Sequence, residues 1–303
     1  MWVGIEIGGT KLQFGLAQEA STLLRSQRWP VIAAHAAEGI RKQIVDELPR
    51  FLHQSSCTIG QVHGMGVGFG GPVDDHKQIT IKSHQIAGWD AFPLQAWLKE
   101  QFGRPVAVAN DSDVAGLAEA AFGAGKGHNP VFYMNVGSGI GGTLILNGQI
   151  HRGTGLGAGE IGHLWIDYDC DGALTNNHNR PWRVLEQCAS GWSIADAYGA
   201  ARAEVVIDRV KAGDPRAQHV LSLAIRRLAL ALSHVVALLC PRRIIVGGGL
   251  AEVGETLFLQ PLRQSLHAIV FPPFRDAYDL VPAQLGESVV VHGALLYAQQ
   301  QLT

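Results

Sequence analysis

Two glycine-rich turns, each between two apolar runs, constrain the fold of this chain more than any other feature. The first turn spans residues 8–11 (GGTK) and the second spans residues 137–142 (GSGIGG). β-prone residues stand on both sides of each turn, so each segment predicts a strand, a tight turn and a second strand. Glycine lets a ligand approach the backbone closely, and successive amides in such a turn form a concavity that binds anions. We therefore expect two similar halves that hold a polyphosphate between them.

Neither turn has the pattern of the common phosphate loops. A Walker A loop requires G-x-x-x-x-G-K-[ST] followed by a helix, and a dinucleotide-binding turn also runs directly into a helix. Here β-prone residues follow the glycines instead. The alternative is that each turn is an ordinary hairpin whose glycines serve only the backbone conformation. Two turns in matching contexts favour the phosphate-binding interpretation.

Strand and helix patterns alternate along both halves, which predicts an α/β architecture. The chain has 303 residues, of which 47% are hydrophobic, and this is enough for two domains with large cores. The glycine-rich segment 123–127 (GAGKG) marks an expected crossing point. We expect an N-terminal domain over residues 1–122, joined by a C-terminal helix over residues 292–303, and a larger second domain over residues 123–291.

Charge and composition exclude several classes of function. The formal net charge is −2 and no basic run is present, which argues against a nucleic-acid partner. The longest apolar stretch, near residues 228–239, is too short to span a bilayer, so we expect a buried helix and no membrane partner. The four cysteines lack paired spacing and the first residues have no signal-peptide pattern, so we expect a cytoplasmic protein.

Asp111 is the candidate general base. It lies where a buried strand near residues 106–108 meets a helix-start signal at residues 110–113 (NDSD), and ligands collect at such junctions in α/β sheets. A carboxylate there could accept the proton of a hydroxyl group that attacks a phosphorus atom. Phosphoryl transfer asks little more of a protein than positioning, charge neutralisation and such a base. The alternative is a helix N-cap, since Asn, Asp and Ser are the preferred capping residues.

Residues 159–163 (GEIGH) form a second candidate constellation. Glu160 and His163 are three residues apart and would share one face of a helical turn. A carboxylate beside an imidazole suits the recognition of adjacent sugar hydroxyl groups. The alternative is a surface glutamate with a buried structural histidine, but the surrounding glycines favour a ligand loop. The spacing is not the H-E-x-x-H of a metalloprotease.

Six motifs follow one another in an order that resembles one protein family, the ROK family of repressors, open reading frames and sugar kinases. The matching segments are 6–11 (EIGGTK), 70–74 (GGPVD), 110–127 with its N-D and F-G-A-G-K-G elements, 137–142 (GSGIGG), 158–163 (AGEIGH) and 247–249 (GGG). The resemblance covers essentially the whole chain. It implies the actin-like ATPase (ribonuclease H-like) fold, with two duplicated α/β domains and a cleft between them. It also implies ATP-dependent phosphorylation of a hexose, as by a glucokinase.

The resemblance implies a role for each matched residue, with Asp111 as the catalytic base. ATP is expected to contact Gly8, Gly9, Thr10, Lys11, Gly137, Ser138, Gly139, Gly247, Gly248 and Gly249. The sugar is expected to contact Gly71, Asn110, Asp111, Glu160, His163 and Glu186. The expected cofactors are ATP and Mg²⁺, and the expected partners are the sugar, ATP and a second copy of the chain in a homodimer.

Three departures from the family pattern bear on function. Glu6 replaces an aspartate, and its carboxylate is expected to orient Mg²⁺ through water; the alternative is a mid-strand charge that faces solvent. Gln85 stands where the family often has Asn, which leaves the identity of the sugar open. Most cysteines of the family's zinc-binding segment are missing, so only His163, Cys170 and His178 remain as candidate ligands. Because structural zinc requires four ligands, we expect none here.

Two alternatives to an ATP-dependent sugar kinase remain open. One is a degenerate protein that binds sugar without catalysis, which Glu6 and the missing cysteines would allow. The other is a hexose kinase that uses inorganic polyphosphate as its donor. The repressors of the family carry a helix-turn-helix ahead of the segment matched here. This chain has no room for one before Met1, so we expect no dedicated DNA binding.

Overall fold

The computed structural model of the protein describes residues 1–83, 85–166 and 183–303, and these form two compact units. Unit 1 contains residues 1–127, 144–158 and 284–303, whereas unit 2 contains residues 128–143 and 159–283. The sequence expectation ended the first domain at residue 122 and returned only the last helix to it. Unit 1 therefore contains residues 123–127, 144–158 and 284–291 in addition to the expected N-terminal domain.

Strands and helices alternate in both units, as expected for an α/β protein. The strands are β1 (Trp2–Ile7), β2 (Lys11–Ala17), β3 (Leu23–Pro30), β4 (Gly64–Phe69), β5 (Val73–Asp74), β6 (Ile79–Thr80), β7 (Val106–Asn110), β8 (Val131–Val136), β9 (Ile140–Leu146), β10 (Gln149–Ile150), β11 (Trp165–Ile166), β12 (Arg183–Val184), β13 (Arg243–Gly247) and β14 (Asp279–Pro282). The α-helices are α1 (Ala36–Gln54), α2 (Leu94–Phe102), α3 (Asp111–Phe122), α4 (Glu186–Ala189), α5 (Gly191–Tyr198), α6 (Ala203–Lys211), α7 (Pro215–Leu239), α8 (Gln260–Ile269) and α9 (Val289–Leu302).

The sheet of unit 1 brings the carboxyl ends of three parallel strands together. Its strand order is β3-β2-β1-β4-β7, in which β1, β4 and β7 run parallel while β2 and β3 are antiparallel to their neighbours. Ile7 is in register with Phe69, and Phe69 is in register with Asn110. The residues that follow these three positions are the first glycine turn, Gly70 and Asp111. Parallel pairing therefore places the first glycine turn and the candidate base at the same end of the sheet.

The second sheet repeats the parallel pairing in strands β8, β13 and β14, which belong to unit 2. Its strand order is β10-β9-β8-β13-β14, and β13 pairs in parallel with both β8 and β14. Gly247 is in register with Asn135, so the segments that follow β8 and β13 begin at one edge. Those segments are the second glycine turn and the glycine run 247–249.

Helix α7 is longer than the apolar stretch that predicted it. It extends over 25 residues, and by length and composition alone it could cross a membrane. However, 56% of its most apolar window is buried within the protein, which is usual for the core helix of a globular domain. The Asp214 side chain caps its N-terminus by accepting from Arg216 N and Ala217 N.

Helix α9 packs onto the first sheet through glycines that sit inside strands. A Cβ atom on Gly66 would overlap the carbonyl oxygen of Ala294, and one on Gly4 would lie 2.7 Å from the carbonyl oxygen of Val291. Gly293 meets helix α3 in the same way, because its Cβ atom would overlap the carbonyl oxygen of Val114. Glycine inside a strand often marks such a close backbone approach. Two strand glycines therefore allow the last helix to contact the sheet backbone directly, and Gly293 allows it to approach helix α3.

Gly66→Ala is expected to destabilise unit 1 by about 1–3 kcal/mol or more, because the added methyl group meets a backbone oxygen that cannot rotate away. Urea unfolding followed by circular dichroism measures the change. Gly60→Ala is the matched control, since a Cβ atom there makes only ordinary contacts, the nearest at 3.6 Å. Equal unfolding midpoints for the two variants would contradict the packing argument.

Candidate functional site

The first glycine turn joins β1 to β2, as the sequence predicts for this hairpin. Gly8 N donates to Lys11 O at 2.9 Å, which closes the turn. The side chain of Gln85 lies against Gly9, because a Cβ atom on this glycine would overlap the Gln85 amide. Gln85 is the residue that departs from the family's usual Asn. The sequence did not indicate this contact between Gln85 and the first glycine turn.

Glu6 is a buried carboxylate at the end of β1, and its side chain reaches Lys11. Glu6 is 5% exposed and its Oε1 lies 3.0 Å from Lys11 Nζ, so the alternative of a solvent-facing charge is wrong. Burial raises the pKa of Glu6 to about 7; Lys11 opposes the shift, whereas the charges of Asp111 and Glu287 add to it. Glu6 Oε2 is buried without a hydrogen-bond partner among the described residues.

The chemistry of this carboxylate fits a hydrated Mg²⁺ ion. An orphaned, desolvated carboxylate oxygen beside a second carboxylate, Asp111, is an environment that a cation would relieve. The described residues contain no group of three or more His, Cys, Asp and Glu side chains arranged to hold a metal. Mg²⁺ does not require one, since it commonly uses one or two carboxylates, several waters and the phosphates of its substrate.

The raised pKa of Glu6 predicts how stability depends on pH in the absence of nucleotide and divalent cations. Between pH 4.5 and about 7 the native state binds the Glu6 proton and the unfolded chain has lost it. The stabilisation is therefore complete below pH 4.5 and is lost as the pH rises to 7, by up to about 3 kcal/mol. Unfolding midpoints of wild-type protein and Glu6→Gln across this range measure the effect. Parallel profiles for the two proteins would contradict the expectation.

Asn110, rather than Asp111, caps helix α3. Asn110 Oδ1 accepts from Ser112 N at 2.8 Å and from Asp113 N at 3.2 Å, while its amide donates to Gly71 O at 3.0 Å. Asp111 is the first residue of the helix, and its Oδ1 accepts from Ser112 N at 2.7 Å. Its Oδ2 would lie 3.5 Å from a Cβ atom on Gly70. The capping role considered for Asp111 is therefore performed by Asn110. The Asp111 carboxylate lies beside the turn that follows β4.

The second glycine turn is held by residues from the start of helices α4 and α5. Gly137 N donates to Gly139 O at 3.0 Å, and Gly191 N donates to Gly137 O at 2.9 Å. Glu186 Oε2 accepts from Ile140 N at 2.8 Å, and a Cβ atom on Gly139 would overlap this carboxylate. The structure therefore sets Glu186, which the resemblance assigns to the sugar, directly against the second glycine turn.

The glycine run 247–249 ends β13 at the same edge of unit 2. Gly247 packs against the ring of Tyr133, and a Cβ atom on Gly248 would lie 2.5 Å from Val136 O. Gly249 faces open space, with nothing within 4 Å of a Cβ atom. A short 3₁₀ turn follows at Ala251–Val253.

The segment 159–163 packs against the beginning of β9. A Cβ atom on Gly142 would lie 2.7 Å from Gly159 O, and one on Gly162 would overlap Ile140 O. His163 N donates to Glu160 O at 3.1 Å in a 3₁₀ turn, and both side chains are exposed. The alternative of a buried structural histidine is therefore wrong. Cys170 and His178 lie outside the described residues, so the expectation that no structural zinc is bound stays a prediction.

In each unit, the structure places sequence-predicted residues near the carboxyl ends of the parallel strands. In unit 1 these are Glu6, Gly8, Gly9, Thr10, Lys11, Gly71, Asn110 and Asp111. In unit 2 these are Gly137, Ser138, Gly139, Gly247, Gly248, Gly249 and, against the same turn, Glu186. Sequence reasoning missed Glu287, whose carbonyl oxygen lies 3.4 Å from Lys11 Nζ and whose charge acts on Glu6. No local pattern links residues so far apart in the chain.

Each of the two α/β units carries a glycine turn where a strand ends, and comparison with known proteins shows which class of protein this is. The ROK family model matches residues 2–301, and the chain belongs to the ROK family. A glucokinase of Halalkalibacterium halodurans is 28% identical over 99% of this chain and 96% of its own length.

Two solved structures are similar over nearly the whole chain. The ROK hexokinase from Thermus thermophilus superposes with a TM-score of 0.80 at 26% identity, covering 99% of this chain and 98% of that one. A ROK family glucokinase from Streptomyces griseus, solved in complex with glucose and AMPPNP, has a TM-score of 0.79 at 28% identity and covers 98% and 99%. The expectation of the actin-like ATPase fold, with its two α/β parts, is confirmed.

Proposed function

We propose that this protein transfers the γ-phosphoryl group of ATP to a hydroxyl group of a hexose. Its class, a carbohydrate kinase, follows from the ROK family match and from the similarity to glucokinases over nearly the whole chain. The donor, the sugar and the residue roles are the proposal. The observation that carries it is that the Asp111 carboxylate lies beside Gly70, which also packs against Gly8 of the first glycine turn, while Asn110 caps helix α3.

In this proposal the phosphates of ATP contact the backbone amides of the turns 8–11 and 137–142, and Gly247–Gly249 face the adenine. Lys11 neutralises phosphate charge from a position fixed by Glu6. Glu6 would hold Mg²⁺ through water, and the ion would supply positive charge to the β- and γ-phosphates. The Glu6 carboxylate is able to do so because one of its oxygens has no partner among the described residues.

The sugar contacts Asn110, Glu160, His163, Glu186 and the backbone of Gly71. Asp111 accepts the proton of the attacking hydroxyl group, and this positioned base contributes about 10²–10⁴-fold to the rate. Exposed side chains such as Glu160 and His163 are available to a ligand in a way that buried ones are not. The Gln85 side chain lies against Gly9 of the first glycine turn, so we do not include it among the sugar contacts.

A panel of hexoses and N-acetylhexosamines, tested with ATP and Mg²⁺, examines the proposal. We expect sugar-dependent formation of ADP with one preferred hexose, and NMR of the product identifies the phosphorylated hydroxyl group. A parallel panel with inorganic polyphosphate tests the other donor. Sugar binding by calorimetry without turnover on either donor would replace the kinase with the degenerate sugar-binding alternative.

A further inference from the structure

Arg152 connects three segments of unit 1 next to the proposed general base. Its Nη1 lies 3.0 Å from Asp113 Oδ2 and 2.7 Å from Asp75 Oδ1. The Arg152 side chain is 22% exposed, and the two carboxylates are 6% and 11% exposed. Asp113 belongs to the first turn of helix α3, two residues after Asp111, and Asp75 follows strand β5 directly. One largely buried cation therefore holds two carboxylates from different elements.

Backbone contacts join the same segments. Asp75 N donates to Gly155 O at 2.9 Å, and the ring of His76 packs against Gly155. The guanidinium group of Arg152 also lies 5.1 Å from the centre of the Tyr297 ring on α9, within the range of a cation–π contact. Residues 152–155 are thus fixed to the β5–β6 hairpin and to the last helix. Along the chain they lead into the segment that carries Glu160.

The charges explain why this contact is sensitive to substitution. Burial raises the pKa of Asp75, and Arg152 is the main opposing influence. Without Arg152, Asp75 and Asp113 would be two desolvated carboxylates deprived of the cation that they share, which is unfavourable unless the arrangement changes. Movement of the first turn of α3 would relieve it, and Asp111 is part of that turn.

We propose that Arg152 is a positioning residue for phosphoryl transfer, which fixes the first turn of α3, and with it Asp111, against the hairpin that follows Gly71. This inference rests on the proposed function. It assigns Arg152 no contact with substrate. Its effect passes through Asp113, because a displacement of about 1 Å at a catalytic group can cost about 10²-fold in rate.

Arg152→Met is expected to lower kcat about 10- to 100-fold, after correction for the folded fraction, with the KM for ATP changed less than about twofold. In our proposal ATP contacts the glycine turns and not helix α3, so the KM for ATP should not follow the change in kcat. Arg152→Lys should fall between Met and wild type, because it keeps the positive charge but its shorter side chain lacks the guanidinium nitrogen that contacts both carboxylates. Asp113→Asn should lower kcat to a similar extent as Arg152→Met.

A double-mutant cycle provides the readout that a purely structural role would not move. Arg152→Met with Asp113→Asn should have nearly the kcat of either single variant, since residues in one contact are not additive. Arg243→Met is the matched control: it breaks a paired arginine of similar exposure in unit 2, with contacts of 2.7 and 2.8 Å to Asp279. It should lower stability and leave kcat unchanged.

Several results would overturn the inference. An active wild-type enzyme whose Arg152→Met variant keeps its kcat removes the positioning role alone, and so do additive effects in the cycle. If Arg152→Met does not fold, the kcat of Asp113→Asn and Arg152→Lys decides: wild-type values for both reject the role and lowered values support it. A wild-type protein without sugar kinase activity overturns the proposed function and this inference together.

Discussion

Asp111→Asn is expected to lower kcat by about 10²–10⁴-fold and to leave the fold intact. Asn has nearly the same shape, and its side-chain oxygen can still accept from Ser112 N, as Asp111 Oδ1 does at 2.7 Å. The helix keeps its cap because Asn110 provides it. The variant loses only the ability to accept a proton from the sugar hydroxyl group. Steady-state kinetics with the preferred hexose and ATP measure the loss.

The control for this substitution is Asp46→Asn, the same chemical change at an exposed position of helix α1. We expect it to retain wild-type kcat and stability. Calorimetric binding of the sugar to Asp111→Asn separates a loss of chemistry from a loss of binding. A kcat near the wild-type value in Asp111→Asn would remove this residue from the role of general base.

Glu119→Ala is expected to lower the free energy of unfolding by about 1–3 kcal/mol or more, because a buried N–H left without a partner costs about that much and two part-buried N–H groups lose the same acceptor. Glu119 is fully buried near the end of helix α3. Its carboxylate accepts hydrogen bonds from Ala124 N, Gln284 N and Leu285 N, each at 2.8 Å. These donors lie next to the points where the chain leaves unit 1 after residue 127 and returns to it at residue 284.

Two further variants sharpen the experiment on Glu119. Glu119→Gln keeps an acceptor oxygen for the Gln284 and Leu285 amides but turns an NH₂ group toward Ala124, so an intermediate loss of stability is expected. Glu100→Ala, at an exposed position of helix α2, is the control and should change stability by less than about 0.5 kcal/mol. Urea unfolding measures all three variants. A Glu119→Ala midpoint equal to that of Glu100→Ala would show that the three amides find other partners.

Much of the candidate site could be predicted from short stretches of sequence. The first hairpin, the strand-to-helix junction at Asn110 and Asp111, and the glycine run after β13 each depend on residues within a few positions of one another. Turn glycines, capping side chains and alternating apolar residues act locally, and their chemistry is therefore visible in the sequence. The order of six such motifs was enough to indicate the family.

The predictions were less complete wherever distant segments decide the outcome. The final helix was expected from residue 292, but α9 begins at Val289 and includes a β-branched run that favours strands in isolation. Close packing on Gly4 and Gly66 overrides that preference. The edge strands β3 and β14 were not singled out, since an edge strand is defined by the neighbour with which it pairs.

The amino-acid sequence by itself determined the family, the glycine turns and the carboxylate proposed as the base, because these features are encoded within a few consecutive residues. Only the tertiary structure decided that Glu6 is buried against Lys11, that Glu186 lies on the second glycine turn, and that Arg152 joins Asp75 to Asp113. Burial and ion pairing are properties of residues brought together across long separations in the chain, and no local pattern specifies which distant partner a side chain will meet.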